Sequence, residues 1–338
     1  MSEITIKEIA KKANISIATV SRAINTPEKV APSTRKKIMD ILEEHDYTPN
    51  QLAKGLVKGK SNTLSLITPP GDNFFNAYYF REVFLGITRA AANSRYNILI
   101  DQESPRSVGV IQSRFPVDGY IIISSAEGDP FVRNLELKKV PAALINNRSE
   151  VLNWVDLDNA LSAENAVKHL IDLGHTEIAV LAGKDNVRNS RDRLKGYRNA
   201  LLSGGLTVKD NYILNGSFHE EKAYQEIKRF ITENHQVTAI FACNDLMAMG
   251  AIRAVQENGR RVPEDISVIG FDDMALASYV SPSLTTVRQP FYMMGLLAVS
   301  SLIEQITQNS LGPVNREFPG ELIIRESTGP AKKARQRA

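Results

Sequence analysis

Thr5-Ile6-Lys7-Glu8-Ile9-Ala10-Lys11-Lys12-Ala13-Asn14-Ile15-Ser16-Ile17-Ala18-Thr19-Val20-Ser21-Arg22-Ala23-Ile24-Asn25 reads as two short helices joined by a tight turn. Thr5 followed three residues later by Glu8 is a capping box. Ile6, Ile9, Ala10 and Ala13 then recur at helical spacing, and Asn14-Ile15 breaks the run. The second helix turns Val20, Ala23 and Ile24 inward and shows Ser16, Ile17, Ala18, Thr19, Ser21 and Arg22 on its other face. Thr26-Pro27 ends it. Pro32 opens a third helix, with Ile38, Ile41 and Leu42 inward and Arg35, Lys36 and Lys37 outward. This is the helix-turn-helix plan, whose second helix fits the major groove of DNA. Arg22 suits a bidentate pair with guanine, and Thr19 and Ser21 suit phosphates or bases. The plainer alternative is a three-helix unit with a solvated polar face.

Charge distribution agrees with a polyanion partner. Residues 1–60 carry 11 Lys+Arg against 7 Asp+Glu. The end of the chain adds Lys332, Lys333, Arg335 and Arg337. The rest is net acidic, although the whole chain is only +3. A basic head on an acidic body fits nucleic acid.

At 338 residues the chain is too long for one core. No apolar run has membrane-spanning length, and the polar start (Ser2, Glu3, Lys7) predicts a cytoplasmic protein with no membrane association. The single Cys243 excludes an internal disulfide framework and a CxxC metal site. Gly55-Leu56-Val57-Lys58-Gly59-Lys60-Ser61 imitates a P-loop, but it has three residues between the glycines and no strand before it. No cofactor, metal site or catalytic constellation is expected.

Beyond residue 61, short apolar runs alternate with helical periodicity. Strands are predicted at 64–67, 97–100, 120–123, 142–145, 178–181, 238–242 and 267–271. Helices are predicted near 80–93, 160–173, 191–203, 220–234 and 245–258. This pattern gives parallel sheets of βαβ units, whose ligands gather at the C-terminal ends of the strands. Polar residues stand at such ends: Asn146-Asn147, Asn244-Asp245 and Asp272-Asp273, with Arg191 and Arg193 opening a helix. Amides, carboxylates and guanidinium together suit a polyhydroxylated ligand. Asp245 reads equally as a helix N-cap, and Asp273 as a turn cap. Cys243 reads as a buried inert thiol, and His175 as a helix C-terminal cap.

The head motifs Thr5-Ile6-Lys7-Glu8-Ile9-Ala10 and Ala18-Thr19-Val20-Ser21-Arg22-Ala23-Ile24-Asn25, with Tyr47-x-Pro49-Asn50, Ala53 and Leu56, closely resemble the lac repressor (LacI) family. The resemblance continues through Asp158-Asn159, Leu173-Gly174-His175, Arg193-Leu194-x-Gly196-Tyr197 and Cys243-Asn244-Asp245-x-Met247-Ala248-x-Gly250. It extends to Val262-Pro263-Glu264-Asp265, Ile269-Gly270-Phe271-Asp272-Asp273 and Pro282-x-Leu284-Thr285-Thr286-Val287-x-Gln289, so it covers nearly the whole chain.

The resemblance implies an α/β protein: an all-α helix-turn-helix head plus two periplasmic-binding-protein-like, Rossmann-like α/β subdomains. The divisions are a head at 1–48, a hinge helix at 49–61, one subdomain from 62–160 and 291–328, a second at 161–290, and a disordered basic tail at 329–338. It implies a sequence-specific regulator, acting as a repressor and controlled by a small molecule, most often a sugar. DNA contacts would come from Thr5, Ser16, Ile17, Ala18, Thr19, Ser21, Arg22 and Asn25. The hinge would add Asn50, Ala53, Lys54 and Leu56, with Leu56 an apolar wedge for the minor groove. Effector contacts would be Arg193, Asn244 and Asp272, the aromatic Phe218, and Asn146 and Gln289. Tyr79-Phe80 would fill an aromatic pair of the family. Two copies would read a pseudo-palindromic operator as a homodimer. The alternative within the class is a catabolite-control-type regulator governed by a phosphorylated carrier protein. The chain departs from the family pattern by an apparent insertion before Tyr79 and a shortened segment between Asp101 and Val117.

Overall fold

The computed structural model describes residues 4–45, 47, 60–68, 78–101, 116–308 and 312–332. The expected hinge contacts Asn50, Ala53, Lys54 and Leu56 lie outside these residues, as do Phe74-Phe75 with most of the apparent insertion, most of the shortened segment, and the tail from Lys333. The chain divides into two compact units, residues 1–61 and 62–338.

Among its described residues the first unit holds three α-helices, α1 (Ile6–Ala13), α2 (Ile17–Asn25) and α3 (Pro32–Glu44). Thr5 and Glu8 close a reciprocal cap on α1. Asn14, in the left-handed region at φ 53°, ends α1, and the Ile15 N–H closes the turn on the Ala10 carbonyl. Ser16 starts α2 by accepting from the Thr19 N–H at 3.1 Å. Two residues thus reverse the chain between α1 and the cap of α2. Ile9, Ala10, Val20, Ala23, Ile38 and Leu42 form the small core. Pro32 is the first residue of α3, as its fixed φ favours.

The Glu8 carboxyl accepts from the Thr5 N–H and hydroxyl at 2.7 and 2.9 Å, and these bonds hold it below the ordinary glutamate value. A folded pKa below the unfolded one gives stability that is full above the unfolded value and is lost as pH falls through the folded one. We expect Glu8→Gln to remove this acid step from the unravelling of α1. Backbone amide NMR of residues 5–9 between pH 6 and 3 checks it.

The second unit holds two parallel sheets. The first orders β11 (Asn315–Phe318), β5 (Asn153–Leu157), β4 (Ala142–Ile145), β3 (Gly119–Ile123), β1 (Thr63–Ile67) and β2 (Asn97–Asp101) side by side. Leu64 pairs with Ile98 on one side and Gly119 on the other. The second orders β7 (Ile213–Asn215), β6 (Ile178–Ala182), β8 (Ala239–Ala242) and β9 (Ser267–Ile269). Strands β3, β4, β6, β8 and β9 are buried along their whole length, as continuous apolar runs require. Seven helices cover the sheets among the described residues: α4 (Tyr78–Asn93), α5 (Pro130–Lys138), α6 (Asn159–Asp172), α7 (Arg188–Ser203), α8 (Glu220–Glu233), α9 (Asp245–Glu257) and α10 (Phe291–Gln308).

The chain crosses between the sheets three times: from β5 into α6, from β10 (Thr286–Arg288) into α10, and from β11 into β12 (Glu321–Ile323). β12 pairs antiparallel with β10, and isolated bridges join Thr285 to Ile269 and Arg288 to Asp272. Residues 321–332 therefore pack with the second sheet, where the sequence reading placed 321–328 with the first. Gly329–Lys332 are also bound down rather than loose. The Ala331 N–H donates to the Leu173 carbonyl, and Lys332 pairs with Asp265.

Candidate functional site

On the head, α2 presents one polar face. Ile17 is 46% exposed, and Ser16, Ala18 and Arg22 are exposed beside it. Thr19 and Ser21 are half-buried. The Ser16 and Thr19 hydroxyls lie 2.9 Å apart and fix the start of the helix as well as its face. Thr5, through its cap, fixes the start of α1.

In the second unit the polar side chains meet where the strands end. Arg193 on α7 is 4% exposed. Its Nε donates to Asn159 Oδ1 at 2.8 Å and its Nη1 to the Cys243 carbonyl at 2.6 Å. Its plane lies 3.8 Å from the Phe271 ring centroid, a cation–π stack. Asp272 stands 3.7 Å from Nη1 and accepts from Gln289 Nε2 at 2.6 Å. Burial drives the Asp272 carboxyl above the ordinary aspartate range; Arg193 opposes this, and Asp245 adds to it. Arg193 makes two of the five N–H bonds a guanidinium has. A buried cation beside a buried carboxylate, both with bonding capacity to spare, can accept and donate to vicinal hydroxyls.

The first sheet supplies the opposite side. Tyr79, at the start of α4, shares a hydrogen bond with Ser124 after β3. Burial raises its phenol far above the usual value, and the charge of Asp272 adds to the rise. Glu127 in the same loop pairs with Arg191 on α7. Asn146, after β4, is buried in the left-handed region at φ 61°, and its Oδ1 has no hydrogen-bond partner.

Phe218 follows β7 at φ 66°, a conformation costly for an aromatic residue. Its ring fills the space where Gly183, after β6, lacks a side chain, and a Cβ there would overlap three ring carbons. We expect Gly183→Ala to displace the ring and cost about 1–3 kcal/mol. Denaturant unfolding of the purified variant measures it.

Profiles of known families match both units. That of bacterial regulatory proteins of the lacI family covers residues 5–50, and that of the periplasmic binding protein-like domain covers 167–328. Catabolite control protein A of Priestia megaterium is 34% identical over 334 residues, spanning 96% of this chain and 99% of that protein. This chain belongs to the lacI family. As a lacI-family member it is a DNA-binding transcriptional regulator. Among solved structures, the lac repressor dimer bound to operator and the anti-inducer ONPF superposes with a TM-score of 0.84 at 26% identity, covering 97% of this chain and all of that one. A transcriptional regulator CelR–cellobiose complex gives 0.75 at 29% identity, covering 96% and 99%.

Several residues of this lacI-family chain do other work than the sequence suggested. Phe80 is buried in the core of the first sheet and stacks on Phe84 at 5.5 Å. Asn244 is the N-cap of α9, its Oδ1 accepting from the Met247 N–H at 2.9 Å. Its amide nitrogen and a second lone pair of Oδ1 remain for another partner. Asp245 is therefore not the cap; it accepts from the Met274 N–H and the Thr286 hydroxyl at 2.7 and 2.5 Å. Asp273 pairs with Arg288 and Arg325 at 2.7 and 2.6 Å instead of capping a turn. His175 does cap the end of α6, its N–H donating to the Leu170 carbonyl at 3.1 Å, and its ring in addition bridges the Thr238 hydroxyl and the Gly329 carbonyl, both at 3.0 Å. Cys243 is fully buried and its thiol is pushed up to about 12 by burial, as the inert reading requires. Sequence reading missed the Phe218–Gly183 contact and the Asn159–Arg193 bond. The Asp158-Asn159 dipeptide was visible, but nothing local shows which helix its amide meets.

Proposed function

We propose that this regulator is a repressor which binds a pseudo-palindromic operator as a homodimer and whose affinity is set by a small saccharide held between the two sheets. The saccharide contacts would be Arg193, Asp272, Phe218, Gln289, Asn146, Tyr79 and the free amide of Asn244. The observation that carries the reading is the buried Arg193–Asp272 pair, 3.7 Å apart, at the ends of strands from which a polyol can be bonded. Support comes from the cellobiose bound to the CelR structure. Thr5, Ser16, Ile17, Ala18, Thr19, Ser21, Arg22 and Asn25 would meet DNA in the head, with Asn50, Ala53, Lys54 and Leu56 following in the hinge. Binding rather than catalysis fits this chain: its relatives are transcriptional regulators, and its one thiol is buried and inert.

A thermal-shift screen against sugars, sugar phosphates, nucleosides and purines tests the effector. A ligand at about 100 times its Kd stabilises by roughly 2.7 kcal/mol. The reading expects a saccharide to raise the midpoint and Asp272→Ala to remove the shift. No response anywhere in the panel, with operator binding changed by a phosphorylated carrier protein and unaffected by Asp272→Ala, would support the catabolite-control reading in its place.

For the head, Arg22→Ala is expected to weaken operator binding about 5- to 100-fold and relax base preference at one position, the worth of a bidentate guanine contact. Wild-type affinity should fall steeply between 50 and 200 mM salt, by roughly a thousandfold if six or more phosphates are contacted. Fluorescence anisotropy on operator and scrambled duplexes measures both.

A further inference from the structure

We infer that Asn159 is a positioning residue for Arg193, holding the guanidinium at the angle from which it meets a ligand; the inference rests on the effector reading above. Asn159 is the first residue of α6, where the chain leaves the first sheet, and it is 1% exposed. It is not needed to cap that helix, because Asp158 Oδ1 already accepts from the Leu161 N–H at 3.0 Å.

The chemistry of its neighbours fixes which way its amide points. Asn159 Nδ2 faces two acceptors, the Leu157 carbonyl at 3.1 Å and Asp156 Oδ1 at 3.4 Å. Its Oδ1 is therefore turned to Arg193 Nε, 2.8 Å away. The reverse orientation would set donor against donor and acceptor against acceptor. Asp156 is itself locked: it is fully buried, its Oδ2 accepts from Arg148 Nε at 2.9 Å, and its Oδ1 accepts from the Leu157 N–H at 2.9 Å. Arg148 is held in turn by Glu317 on β11 and by the Trp154 ring, 4.9 Å from its guanidinium.

Three points then define the Arg193 plane: Asn159 at Nε, the Cys243 carbonyl at Nη1 and the Phe271 ring beneath. Only the Asn159 support comes from the segment that links the two sheets. Without it, Nε loses its acceptor and the guanidinium can rotate about its remaining bond.

The test uses full-length protein and three variants, Asn159→Ala, Arg193→Ala and the double replacement. Titration calorimetry with cellobiose, or with the panel saccharide of largest thermal shift where cellobiose does not bind, gives the affinities. Asn159→Ala is expected to bind about 10- to 100-fold more weakly, the worth of a buried hydrogen bond to a charged group. The double replacement should bind no more weakly than Arg193→Ala, because Asn159 acts only through that side chain. Wild-type affinity in Asn159→Ala, or full additivity in the double, overturns the inference. Unchanged binding in Arg193→Ala overturns the effector reading instead, and NMR then decides on Asn159 alone. The Arg193 Nε–H resonance, identified by its loss in Arg193→Lys, should exchange slowly with solvent in the wild type and rapidly in Asn159→Ala. Rapid exchange in the wild type contradicts the positioning bond, including where Asn159→Ala does not fold.

Discussion

Replacing Arg193 with alanine is expected to weaken saccharide binding at least about 100-fold and to destabilise the second unit at the same time. The first effect follows from removing a desolvated donor whose partner groups stay buried. The second follows from what is left behind. Asp272 keeps one donor, Gln289 Nε2, but loses the cation that opposes its burial. The Cys243 carbonyl and Asn159 Oδ1 lose their donor as well. Breaking a buried pair costs about 3–5 kcal/mol. Asp272's side chain is 13% exposed, so the lower part of that range applies. Calorimetric titration and a denaturant melt of the same preparation separate the two losses. Asp272→Asn in the same background should recover part of the stability, since it removes the stranded charge, while binding stays lost.

Gly86→Val is expected to be the most destabilising single replacement in the first-sheet region. α4 and α10 cross backbone to backbone at two glycines. A Cβ on Gly86 would overlap the Tyr292 carbonyl oxygen and lie 2.7 Å from the Leu296 nitrogen. One on Gly295 would overlap the Val83 carbonyl oxygen and lie 3.1 Å from the Ile87 nitrogen. Backbone cannot rotate aside as a side-chain end does, so the helices must separate. Separation opens the core they share, where Val83, Ile87, Met294 and Ala298 are buried together. Overpacking and the lost contacts add, and about 4 kcal/mol or more is expected against a typical total of roughly 5–15. A Cβ on Gly205 meets no atom within 4 Å, so Gly205→Val, whose main cost is its backbone conformation at φ 70°, is the control. Thermal melts of both variants check the contrast.

How far the sequence could be read follows from where each element is buried. The strands found by their apolar runs, β1, β3, β4, β6, β8 and β9, are well covered; β2, at a sheet edge and partly exposed, was found because Ile98, Leu99 and Ile100 still form an apolar run. β5 escaped because its Asn153 and Asp156 break the run. Both are buried, and both are satisfied by partners outside the strand: Gln305 and the Val314 N–H for Asn153, Arg148 for Asp156. β11 escaped for the opposite reason: Asn315, Arg316 and Glu317 lie exposed on a sheet edge and read as loop. β10 and β12 have three residues each, too few for any period to show.

The site divides in the same way. Asp272 stood out at a strand end, Arg193 at the opening of a helix and Gln289 through the family resemblance, and the structure brings those three together. Asn244 carried the same strand-end signal and also caps α9, since an amide before a helix has a structural use beside any ligand contact. Asn159 and Gly183 were invisible as partners, since their neighbours Arg193 and Phe218 come from other helices and strands.

The central claim is that occupancy of the Arg193–Asp272 site changes the grip of the head on DNA. The most direct measurement selects an operator from a random duplex pool, then titrates wild-type and Asp272→Ala protein onto it by anisotropy, with and without the saccharide identified by thermal shift. The account predicts at least a tenfold change in wild-type operator affinity with saccharide, no change in Asp272→Ala, and equal affinities for the two proteins without it. A wild-type protein that binds the saccharide yet holds its operator with unaltered affinity would contradict the coupling.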